Sequence, residues 1–266
     1  LGMVLLFENQ KEIIPLIQST AGLEYMISTK IKSLINVDKK TIGLMALNDQ
    51  EQPKTDNLTS QLNQHYNFRS VDSKTDIPEN IDVLLISGGV DSVEETTISN
   101  LTSFLIEGKK ILMTQSGVNT DIQLQQAFPI ESNIFDFLNK YDLDLQKNLV
   151  LDSKCGNVQV QQSVGLFRMN RAVQYPFFPV VDTFNSKDSV AGIIVNKLEQ
   201  ILPLFPSEIK IDTVRSENVL NVSTLFTSSN NSGLMSSNFI LSPDPQQNPF
   251  LQLLGQSGKV LSALSS

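Results

Sequence analysis

The sequence is poor in the residues on which most chemistry and cross-linking depend. Its 266 residues include one cysteine, one histidine and no tryptophan. A single cysteine, Cys155, excludes an internal disulfide and any zinc site built on several thiolates. A single histidine, His65, excludes every site that needs two imidazoles. Most hydrolytic and metal chemistry is thereby set aside, and neither a metal site nor a cofactor is expected. No apolar run approaches the roughly 18 residues of a membrane-crossing helix. Basic residues are scarce: 20 Lys and Arg against 28 Asp and Glu leave a net charge of −8. Such a chain repels phosphate backbones, so nucleic acid is not an expected partner. What is present is 40% apolar residues, in a chain long enough to bury roughly three quarters of its unfolded surface.

The chain opens inside a strand-like run, with neither a signal peptide nor a lipidation motif. It is expected to be a piece of a longer protein. Residues 3–18 read as a β-hairpin, with Pro15 demoting the second strand to an edge. Residues 22–35 carry Leu23, Met26, Ile27, Ile31, Leu34 and Ile35 at helical spacing. Strands and helices then alternate: strands at 41–47, 68–71, 81–87 and 110–114, helices at 55–66 and 93–107, the second closed by Gly108. This alternation predicts a mostly parallel sheet flanked by helices. After about residue 133 it fades. A helix is expected at 133–141, strands at 149–151, 209–214, 219–227 and 250–254, an extended stretch at 174–181, and a helix-like segment at 196–204. The expected organisation is an N-terminal hairpin (1–20), an α/β core (21–150) and a β-rich extension packed on it (151–266).

Few positions offer chemistry. A nucleophile at Ser116 or Cys155 would need His65 as its base, yet His65 ends a predicted helix and lies near neither in sequence. Cys155 reads as a structural thiol. The loop holding Gly88, Gly89 and Asp91 follows the strongest strand, and in open α/β sheets such loops line the ligand crevice. It matches neither a dinucleotide fingerprint nor a P-loop, and tight-turn chemistry accounts for it as well. The loop with Ser116, Gly117 and Asn119 follows the next strand. With residues 48–50, these loops are expected to converge on one rim, where small residues admit another backbone and Asp91 and Asn119 offer hydrogen bonds. Arg168 and Arg171 are a secondary binding candidate: they can grip a carboxylate or phosphate, or pair with surface acids, which is the preferred reading.

The order of segments resembles a known family. Glu12-Ile13-Ile14-Pro15-Leu16-Ile17 precedes Ala21-Gly22-Leu23-Glu24 and Ile31-Lys32-Ser33-Leu34. Thr41-Ile42-Gly43-Leu44 and Ile81-Asp82-Val83-Leu84-Leu85-Ile86 with its Gly-Gly loop follow. Then come the stretch from Leu101 to Leu112, Leu149-Val150-Leu151-Asp152 and Tyr175-Pro176-Phe177-Phe178-Pro179. Together they resemble the soluble domain of the gliding-motility-type ABC-transporter auxiliary component, the GldG-like family. The resemblance implies a flavodoxin-like or class I glutamine amidotransferase-like α/β fold with β-rich additions, related also to a domain of intraflagellar transport proteins. It implies a non-catalytic extracytoplasmic (periplasmic) domain of a bacterial protein, anchored by membrane segments outside this sequence. Its expected partners are the ABC-transporter permease and ATPase subunits. It carries over no catalytic residue. A solute-binding module that hands a ligand to the transporter, and an amidotransferase-like or hydrolase enzyme, are the alternatives.

Overall fold

The computed structural model describes residues 2–17, 20, 23–35, 39–47, 55–63, 65–164, 167–185, 187, 190–211, 220–244, 246–248 and 250–266. The chain divides into two compact units, one of Leu1–Gly88 and Glu94–Thr114, the other of Gly89–Val93 and Gln115–Ser266.

Unit 1 begins with the hairpin of β1 (Met3–Phe7) and β2 (Gln10–Ile14), closed over a two-residue turn in which Glu8 adopts a φ of 50°. Helix α1 (Leu23–Ile35) packs on both strands. Its Lys30 Nζ and Ser33 Oγ donate to the Glu12 carboxylate at 2.7 and 3.1 Å. The Lys30 hydrogen bond, ahead of Ser33 and of the lysine charge, holds that carboxyl below its usual range against the opposing effect of burial. Next come β3 (Thr41–Ala46), α2 (Asp56–Leu62), β4 (Asn67–Asp72), β5 (Val83–Ser87), α3 (Glu95–Ile106) and β6 (Lys110–Thr114). The four strands form one wholly parallel sheet in the order β4-β3-β5-β6. The apolar run of β5 takes an inner place, with Leu84 and Ile86, and Ile81 just before the strand, fully buried. Helix α3 buries Thr97, Ile98, Leu101 and Phe104, at i, i+1, i+4 and i+7, one face of an amphipathic helix. It stops where Gly108, at φ +79°, donates its N–H to Leu105 O.

Unit 2 is built from short antiparallel pairs. Strands β7 (Val118–Asp121) and β8 (Gln126–Pro129) pair, and α4 (Ile134–Asn139) follows. Strand β9 (Leu143–Leu145) is followed by β10 (Leu149–Asp152), the long hairpin of β11 (Cys155–Val164) and β12 (Phe167–Pro179), then β13 (Thr183–Phe184) and α5 (Ala191–Val195). Strand β14 (Ile209–Ile211) pairs with β9, and β15 (Val222–Thr227) lies between β13 and β17 (Val260–Ser265). Strand β16 (Ser232–Met235) pairs with β10. All four residues of β10 are buried. Leu149 and Leu151 join a core with Phe177, Phe205, Met235 and Leu241. Tyr175 sits edge-on to Phe177, Phe178 and Phe205 at 4.9 to 6.0 Å, and its hydroxyl donates to Leu241 O at 2.5 Å.

The expectation of a flavodoxin-like or amidotransferase-like α/β fold does not hold. Strands outnumber α-helices seventeen to five among the described residues, and six of their seven sheets are antiparallel. The four expected strands do pair in parallel, but that sheet ends at β6. A parallel crossover needs a dozen or more residues, usually helical. After Thr114 the helices have only six and five residues, so later strands fold back on near neighbours or antiparallel partners. Two further expectations are corrected. Residues 196–204 form no helix; α5 lies just upstream, and Ile201 makes a bridge with Val181. Phe250–Leu253 is a 3-10 turn rather than a strand, and the last strand is β17. In both, apolar residues bracketed by Pro or polar residues lacked a period long enough to separate helix from strand.

Candidate functional site

Most of the expected rim lies in unit 2, held by its own hydrogen bonds. Gln115 clasps Gly89: the Gly89 N–H donates to Gln115 Oε1 at 3.1 Å, and Gln115 Nε2 donates to Gly89 O at 2.9 Å and Ser116 O at 2.8 Å. The Ser207 hydroxyl donates to Asn148 O at 2.6 Å and accepts the Gly117 N–H at 2.9 Å. Ser116 Oγ lies 3.3 Å from Ser207 Oγ and accepts the Val118 N–H at 3.3 Å. A hydroxyl has one proton. Since Ser207 gives its own to Asn148, the Ser116 proton is directed at Ser207, and Ser116 is a structural link with no imidazole as its acceptor. Gly117 is buried because another backbone does approach it: a Cβ there would overlap the carbonyl oxygen of Gln146 and lie 2.8 Å from its carbon.

The other rim residues are placed differently. Gly88 follows β5 in unit 1, where its N–H donates to Thr114 O at 2.7 Å. Asp91 is exposed, and its carbonyl accepts from Ser132 Oγ at 2.9 Å. Asn119 is exposed in β7 opposite Phe128. The expected third loop, 48–50, lies outside the described residues.

Cys155 opens β11 opposite Pro179. Burial, with the nearby Asp152 charge, pushes its thiol up, against a lowering hydrogen bond from the Tyr175 backbone. The thiolate is therefore scarce at neutral pH. His65 follows α2 in unit 1, its backbone N–H bonded to Leu62 O at 2.9 Å. Of the secondary pair, Arg168 faces Ser163 in the ladder and its side chain lies outside the described residues. Arg171 is opposite Val160 and exposed, with no ion-pair partner among the described residues.

Arg171 belongs to a feature that sequence reasoning missed. A groove of about 690 Å³ runs along the β11–β12 hairpin, with Ile122 and Gln125 from the β7–β8 turn, the residues from Leu241 to Asp244, and Gln247 as its other wall. Tyr175, Phe178 and Phe205 line its apolar end. Burial pushes the Tyr175 phenol far up, so it stays a neutral donor to Leu241. The alternation of Val158, Val160 and Val164 with glutamine and serine was the available signal. With no strand assigned to this polar stretch, the groove stayed hidden.

The site is thus one of hydrogen-bonded loops and an open groove of mixed polar and apolar lining. Residues 39–266 match the family described as "ABC-type uncharacterized transport system", and the chain belongs to that family, whose members are auxiliary components of such systems. An uncharacterized protein of Borreliella burgdorferi is 24% identical over 241 residues, covering 84% of this chain and 48% of that protein. The chain thus spans about half the length of that curated relative. The solved mmIFT52 N-terminal domain superposes with a TM-score of 0.46 at 11% identity, over 72% of this chain and 73% of that one.

Proposed function

We propose that this chain is a non-catalytic binding or assembly domain of an ABC-type transport system, acting outside the cytoplasm and held at the membrane by segments beyond this sequence. Its partners are the permease and ATPase subunits. The observation that carries this reading is the family match over residues 39–266. Two features support it: the Ser116 proton is committed to Ser207, and the Cys155 thiol is held protonated. The rim docks the permease through its exposed members, Asp91 and Asn119. The gliding-motility subtype is the finer form of this proposal, tested by surface motility of a deletion strain.

The test is to purify the tagged full-length protein from membranes with its genomic neighbours and identify what accompanies it. Recovery of the permease and ATPase is expected, reduced in the Asp91→Lys/Asn119→Lys double variant. A folded protein recovered without either subunit overturns the assembly role. Unchanged recovery of the double variant overturns the rim. A reporter fused to this domain and active only inside the cytoplasm overturns the location. The groove favours a second reading, a solute-binding module, because about 690 Å³ is within the range of small-ligand sites. Isothermal calorimetry against the transported solute, once known, separates the two.

A further inference from the structure

The β11–β12 hairpin leaves an edge that natural sheets usually protect. Its sheet has only two strands. Among the described residues, the backbone groups of 157–161 that point away from β12 have no hydrogen-bond partner. Edge strands are commonly blunted with lysine, proline, inward charge or a bulge. From Asn157 to Val164, β11 carries no charge and no proline, and its one irregularity lies before this stretch, between Cys155 and Asn157.

The groove follows that edge. A cavity bounded by the face of a strand touches alternate residues, whereas one bounded by an edge touches successive ones. Strand β12 contributes Arg171, Val173 and Tyr175, alternate positions along its paired stretch, with Phe178 near its end; β11 contributes Val158, Gln159, Val160 and Gln161 in succession. The groove therefore lies over one face of β12 and along the open edge of β11. Four residues at about 3.3 Å each make an edge of roughly 13 Å. Val158 and Val160, opposite Val173 and Arg171, give this face two small apolar contacts beside a cation. In a chain of net charge −8, Arg171 has no ion-pair partner among the described residues. The other charge in the groove, Asp244, accepts the Gln246 N–H at 3.0 Å.

From this we infer that the groove receives an extended segment of another protein, which adds as a strand to the edge of β11 and places a carboxylate on Arg171. Main-chain hydrogen bonds supply affinity, and the alternating valines with the guanidinium supply preference for apolar residues alternating with an acidic one. This goes beyond the transport reading and stands whichever protein supplies the segment.

The test uses the full 266-residue chain as bait for a phage library of random twelve-residue peptides, followed by binding of the enriched peptide made synthetically. Enriched peptides are expected to alternate β-branched or aromatic residues with polar ones and to contain Asp or Glu. Arg171→Glu, at an exposed position, is expected to weaken binding about tenfold or more. In the unmodified protein, the peptide is expected to slow amide hydrogen exchange within 157–161 while leaving β15–β17 unchanged. Failure to enrich any peptide overturns the inference. So does a peptide that binds Arg171→Glu equally well and leaves the 157–161 amides unprotected. A free chain that dimerises with those amides already protected overturns it in favour of a second copy.

Discussion

Gly117→Ala tests the packing of unit 2 most sharply, because its sign is diagnostic. At a position where alanine fits, replacing glycine stabilises a protein by about 0.4–1 kcal/mol, since the unfolded chain loses freedom. Gly117 has no positive φ, so an uncrowded site would show that gain. Here the new Cβ meets backbone: it overlaps Gln146 O and lies 2.8 Å from its carbonyl carbon and 3.0 Å from Lys147 Cα. Neither can swing aside as a side-chain tip would. Overpacking costs about 1–3 kcal/mol, and displacing Gly117 from Ser207 forfeits a hydrogen bond worth about 0.5–1.5 kcal/mol. The expected destabilisation is about 3 kcal/mol, or about 6–12 °C in Tm for a unit of this size. With no tryptophan to report, unfolding is followed by far-ultraviolet circular dichroism and by the reaction of Cys155, the lone thiol of unit 2, with a thiol reagent. Gly108→Ala is the control: it has open space but a φ of +79°, costs about 1–2 kcal/mol, and acts on unit 1. A Gly117→Ala protein as stable as the parent, or more so, refutes the close approach of Gln146.

Leu101→Ala removes a fully buried side chain of α3 and should cost about 2–5 kcal/mol in urea unfolding; a cost under about 1 kcal/mol shows that α3 does not seat on the sheet this way. Glu12 has its carboxyl held below 4.5, first by the Lys30 hydrogen bond, so its stabilising contribution is complete above that pH and is lost as pH falls through the lower folded value. The unfolding midpoint of unit 1 should therefore drop on acidification below about pH 4, and Glu12→Gln should flatten that part of the profile; equal pH profiles refute the link. Because burial raises its pKa, Cys155 should react with Ellman's reagent at pH 8 many times more slowly in the folded protein than in urea, and equal rates refute the burial.

Three of the four parallel strands and both their helices were legible, because each buried strand is a short apolar run and each helix carries a stripe at 3.6 spacing. Strand β4, with Phe68 and Val71 as its only apolar residues, was placed by alternation alone. Of the candidate rim, Gln115 hydrogen-bonds both Gly89 and Ser116, and the backbone that meets Gly117 is Gln146 of the same chain. That meeting depends on Ser207 and Asn148, which come from distant stretches with no local mark of their partnership.

The local sequence by itself determined the hairpin, the β4-β3-β5-β6 elements and the amphipathic face of α3, since period and turn chemistry act within about fifteen residues. Net charge and the single Cys155 and His65 bounded the chemistry in the same way. Tertiary structure alone decided the rest. Pairings such as β10 with β16 and β9 with β14 join residues more than sixty apart, and which edges meet depends on how whole faces bury together, which no local window contains. The bare edge of β11 is likewise a property of what does not pair with it, visible only once every other strand has found its neighbour.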